Sequence, residues 1–176
     1  MSARQEKERQ AGIALVEVLL LAAVIACLSM LAIPSIMRFY REAAIEYETE
    51  HLLADLRRTQ SLNRLIEGAN HGFYNRDGVV KQAVIEVRKN EYCVTVTSSH
   101  EETNMSHRYL PLVKVSKEWN GTSIDSGPIA FKANGELKNV GLGMMTLLIT
   151  CEGWEQEGRK IMISRAGRIR MERVSW

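Results

Sequence analysis

One carboxylate stands alone in a long apolar segment near the start of the chain. Glu17 is the only charged residue in residues 13–33, a stretch of 21 residues. A charge at the centre of a bilayer costs about 2.5–3.5 kcal/mol on insertion scales, so this carboxylate needs a partner or a function. Cleavage after Gly12 would free an amino group at Ile13, and that amine, in the same or a neighbouring subunit, could pair with Glu17. The first turn of a helix also favours a negative charge.

A cluster of cations lies near the other end of the chain. Its members are Arg159, Lys160, Arg165, Arg168, Arg170 and Arg173, with Glu172 among them. Alternate residues of a strand point the same way, so Arg168 and Arg170 could contact neighbouring phosphates without reading base sequence. The alternative is a solvated strand edge, where exposed cations discourage pairing with another strand.

The three cysteines show no metal-binding spacing. Cys27 lies in the apolar segment, where it acts as a small hydrophobic residue. Cys93 and Cys151 both fall in predicted strands. Two interpretations stay open for them: a disulfide, if this region lies outside the cytoplasm, or two separate buried thiols.

Nothing in the sequence matches a catalytic or nucleotide-binding motif. The patterns GxSxG and HExxH and the phosphate-binding loop are all missing from the sequence. The four histidines are His51, His71, His100 and His107. His100 and His107 share a polar stretch with two glutamates, which could bind a metal or form a solvated loop; the sequence favours the loop. We therefore expect no enzyme, no cofactor and no metal.

The apolar segment is long enough to cross a membrane. At about 1.5 Å per residue, residues 13–33 cover the roughly 30 Å hydrocarbon core. The preceding cations Arg4, Lys7 and Arg9 favour keeping that end inside the cell. The chain would then span the inner (cytoplasmic) membrane once, with its remainder in the periplasm or outside the cell. The small residues that mark the predicted cleavage site end at Gly12, before the apolar segment begins. Cleavage there would leave the helix on the mature protein.

Two cations after the apolar segment run mildly against the positive-inside rule. Arg38 and Arg41 follow the segment on the side that would be translocated. The position of the N-terminal cations and the large size of the translocated part outweigh these two residues.

The rest of the chain predicts an α+β fold. Pro34 should kink the helix, because it lacks an N–H and clashes with the preceding turn. Beyond it, Ile45, Leu52 and Leu56 recur at helical spacing and should pack on a head. The predicted parts are a leader (1–12), a transmembrane helix (13–33), an amphipathic helix (34–67) and a head (68–176). The fold class is thus a long N-terminal α-helix packed on a C-terminal antiparallel β-sheet head.

Alternating apolar residues predict the strands of the head. The predicted strands are residues 79–87, 92–97, 110–115, 144–151 and 160–164, with a last short strand around Ile169 and Met171. Asn134-Gly135 is a strong hairpin signal. Residues 98–107 and 118–128 are predicted as polar loops.

The N-terminal residues resemble the type IV prepilin signature. Gly12, a hydrophobic residue at Ile13, Glu17 as the fifth residue after the cut, and an unbroken apolar helix follow that signature in order. Pro34 stands where many pilins and pseudopilins also carry proline. The resemblance implies cleavage and N-methylation by a prepilin peptidase, then assembly with other pilins or pseudopilins through the N-terminal helix.

The head is similar, more loosely, to H-type minor pseudopilins of type II secretion and to FimT-like minor pilins. The phrases that carry this likeness are LLADLRRTQSLNR on the helix, IAFKANGELK, and RAGRIRM in the closing strand. Gram-positive competence pseudopilins share much of the pattern. Residues 167–170 resemble the GRxR element of FimT-like pilins, a group linked to DNA uptake, which implies DNA contacts by Arg168 and Arg170, with Arg165 nearby.

Three hypotheses follow from the sequence. The first is a minor pilin or pseudopilin of a type IV pilus, a type II secretion system or a competence system. The second is a DNA-binding minor pilin. The third is an unprocessed single-pass membrane protein with a β-rich binding head, which predicts an intact N-terminus.

Overall fold

The described part of the chain contains one long helix followed by nine strands. The computed structural model describes residues 3–70, 80–98, 101–124, 127–138 and 143–175. In chain order the elements are α1 (Ala3–Asn70), β1 (Val80–Val87), β2 (Glu91–Ser98), β3 (Glu102–Arg108), β4 (Val113–Trp119), β5 (Thr122–Ser123), β6 (Ile129–Ala130), β7 (Met144–Cys151), β8 (Trp154–Ser164) and β9 (Ile169–Ser175). The chain divides into two compact units, residues 1–42 and 43–176.

The helix α1 is longer than the sequence predicts. It begins at Ala3, within the predicted leader, and ends at Asn70, past the expected boundary with the head. Pro34 lies inside it, so the helix does not end at the proline. The amphipathic stripe is confirmed in the second unit, where Ile45, Leu52 and Leu56 are buried.

The strands form two antiparallel sheets. Sheet A has the order β3-β2-β1-β6, and sheet B has the order β5-β4-β7-β8-β9. Every strand pair described is antiparallel. The predicted α+β class, a long apolar N-terminal helix with antiparallel β-sheets packed on it, is therefore confirmed.

Register places the apolar residues of sheet B on one face. Val115 lies opposite Ile149, and Leu147 lies opposite Ile161. These side chains alternate with more exposed ones along each strand, as expected for a sheet with one covered face. Together with the helix stripe and the inner residues of sheet A they form one hydrophobic cluster.

Several element boundaries differ from the prediction. Residues 98–107 were expected to be a loop, but most of them belong to β3. The strand expected at 110–115 is Val113–Trp119, which takes up the start of the loop expected at 118–128, and β5 takes up more of it. These strands are rich in polar residues, which weakens the apolar alternation used to find strands.

Other predicted strands are confirmed. β7 has the predicted bounds, and β1 and β2 lie within one residue of theirs. The hairpin at Asn134-Gly135 is present, with a bridge between Phe131 and Leu137 and a positive φ of 86° at Gly135. β8 is longer than the strand predicted at residues 160–164, because it begins at Trp154.

Candidate functional site

The first unit presents a continuous apolar surface. All described side chains from Leu15 to Tyr40 are exposed, and most of them are hydrocarbon. The helix segment Leu15–Leu65 contains a window with mean hydropathy 2.7, long and apolar enough to cross a membrane. An exposed apolar surface of this extent is compatible with a single membrane span.

The predicted processing and assembly residues all lie within α1. The exposure of Gly12 and Ile13 lies outside what the structure describes. Glu17 and Pro34 are exposed on the helix. The pairing of Glu17 with a freed amine at Ile13 therefore stays a prediction.

The C-terminal cation cluster separates into two groups. Arg159 is buried and donates from Nε to Glu46 Oε2 at 2.7 Å. Arg173 Nη2 lies 3.5 Å from Glu157 Oε2. Arg159 therefore serves the helix–sheet contact and is not part of a cationic surface, whereas Arg173 is exposed beside Glu157.

The other cations of the cluster are at the surface. Arg165 and Arg168 are exposed in the turn between β8 and β9, and Arg170 is exposed on β9. The expectation that Arg168 lies on the strand is wrong, because β9 begins at Ile169. Lys160 is opposite Glu172 in the register, which places it on the same face of sheet B as Arg170.

A cluster of histidine and tyrosine side chains joins α1 to sheet A, and the sequence did not predict it. Tyr92 donates from its hydroxyl to Asp55 Oδ2 at 2.6 Å. His51 Nδ1 lies 2.5 Å from the same hydroxyl oxygen. The His51 ring stacks on the ring of His107, with centroids 4.3 Å apart.

Glu48 is the buried carboxylate of this cluster, with 1% of its surface exposed. One carboxylate oxygen lies 2.8 Å from His107 Nε2. The other accepts a hydrogen bond from the Leu110 backbone N–H at 2.9 Å. A buried carboxylate requires such partners, because an unpaired charge in a low-dielectric interior is unstable. His107 on β3 thus pairs with Glu48 on α1. The solvated loop expected around His107 is wrong, because this residue lies in a strand. His71 and His100 lie outside the described residues.

Burial raises the pKa of two tyrosines in the cluster. The pKa of Tyr92 rises through desolvation, and the neighbouring Asp55 carboxylate adds to the rise. Desolvation also raises the pKa of Tyr109, with a further contribution from Glu48. The Tyr109 hydroxyl is buried and has no hydrogen-bond partner among the described residues. No group of three or more potential metal ligands occurs in the described part of the chain.

The phrases that carried the resemblance of the head meet at one seam. Gln60 on α1 donates from Nε2 to the carbonyl oxygens of Gly135 at 2.8 Å and Gly167 at 2.7 Å. A Cβ on Gly167 would overlap the Gly135 carbonyl oxygen. Nearby, Asn63 bonds both the N–H and the C=O of Ala83 on β1. Gln60 and Asn63 are polar residues within the apolar stripe of α1, and this pattern in the sequence could have indicated that they contact the head.

The predicted disulfide alternative is not found. Cys93 lies on β2 in sheet A and Cys151 lies on β7 in sheet B, and neither forms a disulfide. Cys151 is buried and Cys93 is half-buried.

An open pocket of about 360 Å³ lies between the turn after β1 and strand β4. Its cationic lining residues are Arg88, Lys89, Lys114 and Lys117. Lys114 Nζ lies 2.6 Å from Glu152, and Lys117 Nζ donates to the Gly127 carbonyl at 2.7 Å. These partners already engage two of the ammonium groups, so the pocket is not assigned a ligand.

Known proteins give no independent identification of these surfaces. No protein-family model, curated protein or solved structure matches this chain.

Proposed function

We propose that this chain is a minor pilin or pseudopilin subunit. In this proposal a prepilin peptidase cuts after Gly12 and methylates the new amine of Ile13. The subunit then assembles through its N-terminal helix into a type IV pilus, a type II secretion pseudopilus or a competence pseudopilus. Before assembly it resides in the inner membrane, with its head in the periplasm or outside the cell.

The exposed apolar part of α1 carries this proposal. It belongs to one helix, Ala3–Asn70, which is exposed and apolar in the first unit and buried along one stripe in the second. A subunit that is first held in lipid and later packed among neighbouring helices requires such a surface. Glu17 is the charged residue near its N-terminal end, and pairing with a neighbouring amine would give assembly a defined register.

The N-terminal peptide of the protein isolated from native membranes tests the proposal by mass spectrometry. We expect a peptide that begins at N-methylated Ile13. A persistent Met1 would contradict processing and support the unprocessed single-pass membrane protein. Cleavage after Ala26 would indicate a conventional secretory signal.

The turn before β9 favours a second candidate function, contact with DNA. Arg165, Arg168 and Arg170 are exposed. Arginine contacts to phosphates are independent of base sequence and weaken as salt concentration rises. Gel-shift titration of the full chain in detergent should show binding that weakens in the Arg168→Ala/Arg170→Ala variant.

The matched control for this test is Arg57→Ala/Arg58→Ala, since both residues are exposed cations on α1. We expect the control to bind DNA as the wild type does. Equal binding by the Arg168/Arg170 variant and the wild type would remove DNA contact at this turn from consideration.

A further inference from the structure

Four residues at the end of the apolar surface are not explained by assembly through hydrocarbon contacts. They are Arg38, Phe39, Tyr40 and Arg41, in the first unit. Phe39 is 74% exposed and Tyr40 is 47% exposed. Arg38 is exposed, and Arg41 is half-buried. The positive-inside rule does not favour two arginines on the translocated side of a span.

The helical geometry spreads these side chains around α1. Successive residues of an α-helix are rotated by about 100°, because one turn holds about 3.6 residues. Phe39 and Tyr40 therefore leave the helix in directions different from each other and from the two arginines. A protein that docks on one side of a helix requires one matching face. Lipid headgroups surround a helix that crosses a bilayer. These four side chains form a ring around α1, here called the girdle, and a ring fits a headgroup layer better than it fits a protein docked on one face.

The spacing of charges along α1 matches the thickness of a bilayer. Residues 18–37 contain no charged side chain. At about 1.5 Å per residue these twenty residues measure about 30 Å, the thickness of the hydrocarbon core. Glu17 and Arg38 lie at the two ends of this length. A polar group inside it, the Ser29 hydroxyl, donates to the Ile25 carbonyl at 2.8 Å.

The chemistry of the four side chains suits the headgroup layer. Aromatic residues are enriched at membrane interfaces because their rings are amphipathic. A guanidinium group forms paired hydrogen bonds with phosphate oxygens, and its aliphatic stem can lie along hydrocarbon. We propose that Arg38, Phe39, Tyr40 and Arg41 form an interface anchor that binds lipid phosphates in the leaflet on the head side. The anchor places residues 18–37 in hydrocarbon and Glu17 at the opposite boundary.

This inference rests on the membrane residence in the proposed function and does not depend on cleavage after Gly12. It changes the energetic position of Glu17, since a carboxylate at the boundary costs less than one at the bilayer centre. Glu17 is then held near the depth at which a freed amine at Ile13 would lie.

Lipid selectivity of the full chain tests the anchor. The protein is reconstituted in phosphatidylcholine vesicles that contain spin-labelled phosphatidylglycerol or spin-labelled phosphatidylcholine. At low salt we expect a preference for phosphatidylglycerol of about fivefold per arginine. Arg38→Gln/Arg41→Gln should lose this preference. Arg57→Gln/Arg58→Gln, which removes two exposed cations outside the anchor, should keep it.

The depth of the helix gives a second measurement. Ser35→Cys and Ala43→Cys are treated with a membrane-impermeant maleimide, and the labelled peptides are identified by mass spectrometry. We expect label at residue 43 and none at residue 35. Label at both positions, or an unchanged phosphatidylglycerol preference in Arg38→Gln/Arg41→Gln, would overturn the anchor.

A charge-conserving variant keeps the proposal testable if the glutamine variant cannot be reconstituted in vesicles. Arg38→Lys/Arg41→Lys should retain the lipid preference, and its loss would overturn the role of charge at this site. Exclusion of both spin-labelled lipids would indicate that another protein covers the girdle, and it would also overturn the proposal. An intact Met1 together with the expected lipid preference would refute prepilin processing and leave the anchor standing.

Discussion

The side-chain amide nitrogen of Gln60 lies 2.7 Å from the carbonyl oxygen of Gly167, across 107 positions of sequence. The same nitrogen lies 2.8 Å from the carbonyl oxygen of Gly135. One amide group on the helix therefore satisfies two turn carbonyls that belong to different parts of the head. The two turns also contact each other directly, because Leu137 N–H donates to the Arg165 carbonyl at 3.0 Å.

Replacement of Gln60 with methionine should destabilise the head. Methionine has a similar length but no N–H donor, so the carbonyls of Gly135 and Gly167 would lose a partner. We expect a loss of about 1–3 kcal/mol in the free energy of unfolding. Urea titration in detergent, followed by fluorescence of Trp119 and Trp154, measures this change. Gln156→Met is the matched control because Gln156 is exposed, and equal losses in both variants would contradict the role of Gln60.

An alanine at Gly167 should destabilise the chain more than an alanine at Gly121. Both glycines have positive φ, 75° at Gly167 and 82° at Gly121, so both substitutions carry about 1–2 kcal/mol of backbone strain. Only at Gly167 would the new Cβ overlap another atom, the Gly135 carbonyl oxygen, while nothing lies within 4 Å at Gly121. We expect an additional loss of about 1–3 kcal/mol at Gly167. Urea midpoints of the two variants compare them, and equal midpoints would show that the seam adapts.

Tyr92 and Tyr109 should respond differently to removal of the hydroxyl. Tyr92→Phe deprives Asp55 of its donor, and we expect a loss of about 1–3 kcal/mol. The hydroxyl of Tyr109 is buried without a hydrogen-bond partner among the described residues, so Tyr109→Phe should leave stability unchanged or raise it. The same urea titration measures both variants. A large loss in Tyr109→Phe would indicate a partner for that hydroxyl, such as a bound water.

The raised pKa values of these tyrosines predict a loss of stability at alkaline pH. In the unfolded chain each phenol loses its proton at about pH 10, whereas Tyr92 and Tyr109 keep theirs in the folded protein. The unfolded state then binds fewer protons than the native state, so the free energy of unfolding falls as pH rises above about 10. Urea midpoints between pH 8 and 11 test this dependence. Tyr92→Phe/Tyr109→Phe should flatten the fall, and an unchanged slope would contradict the assignment.

Replacement of Glu17 with alanine should separate membrane insertion from assembly. The helix becomes more apolar, so we expect the variant to remain in the membrane fraction. Loss of the carboxylate removes the proposed partner of the Ile13 amine, so incorporation into filaments should fall. Fractionation and cross-linking in native cells measure the two properties, with Glu42→Ala as the control outside the apolar segment. Unchanged incorporation of Glu17→Ala would count against this role.

The sequence predicted the elements with strong patterns and missed those with weak ones. β7 is rich in apolar residues, and it has the predicted bounds. β3 reads ETNMSHR, and six of its seven residues are exposed, so apolar alternation could not reveal it. The Asn120-Gly121 turn between β4 and β5 carries a known hairpin signal, with φ of 49° at Asn120. That signal, applied to residues 118–128, would have indicated a hairpin in place of a loop.

The sequence alone determined the apolar helix, the amphipathic stripe and the α+β class, because each depends on local composition and periodicity. Only the tertiary structure decided the division into two sheets, the seam at Gln60 and the Glu48–His107 pair. It also separated Arg159, buried against Glu46, from the surface arginines of the same cluster. These contacts join residues far apart in the chain, and each polar group in them gains its role from the partner that folding brings close. A single sequence records the residues but not which distant pairs meet.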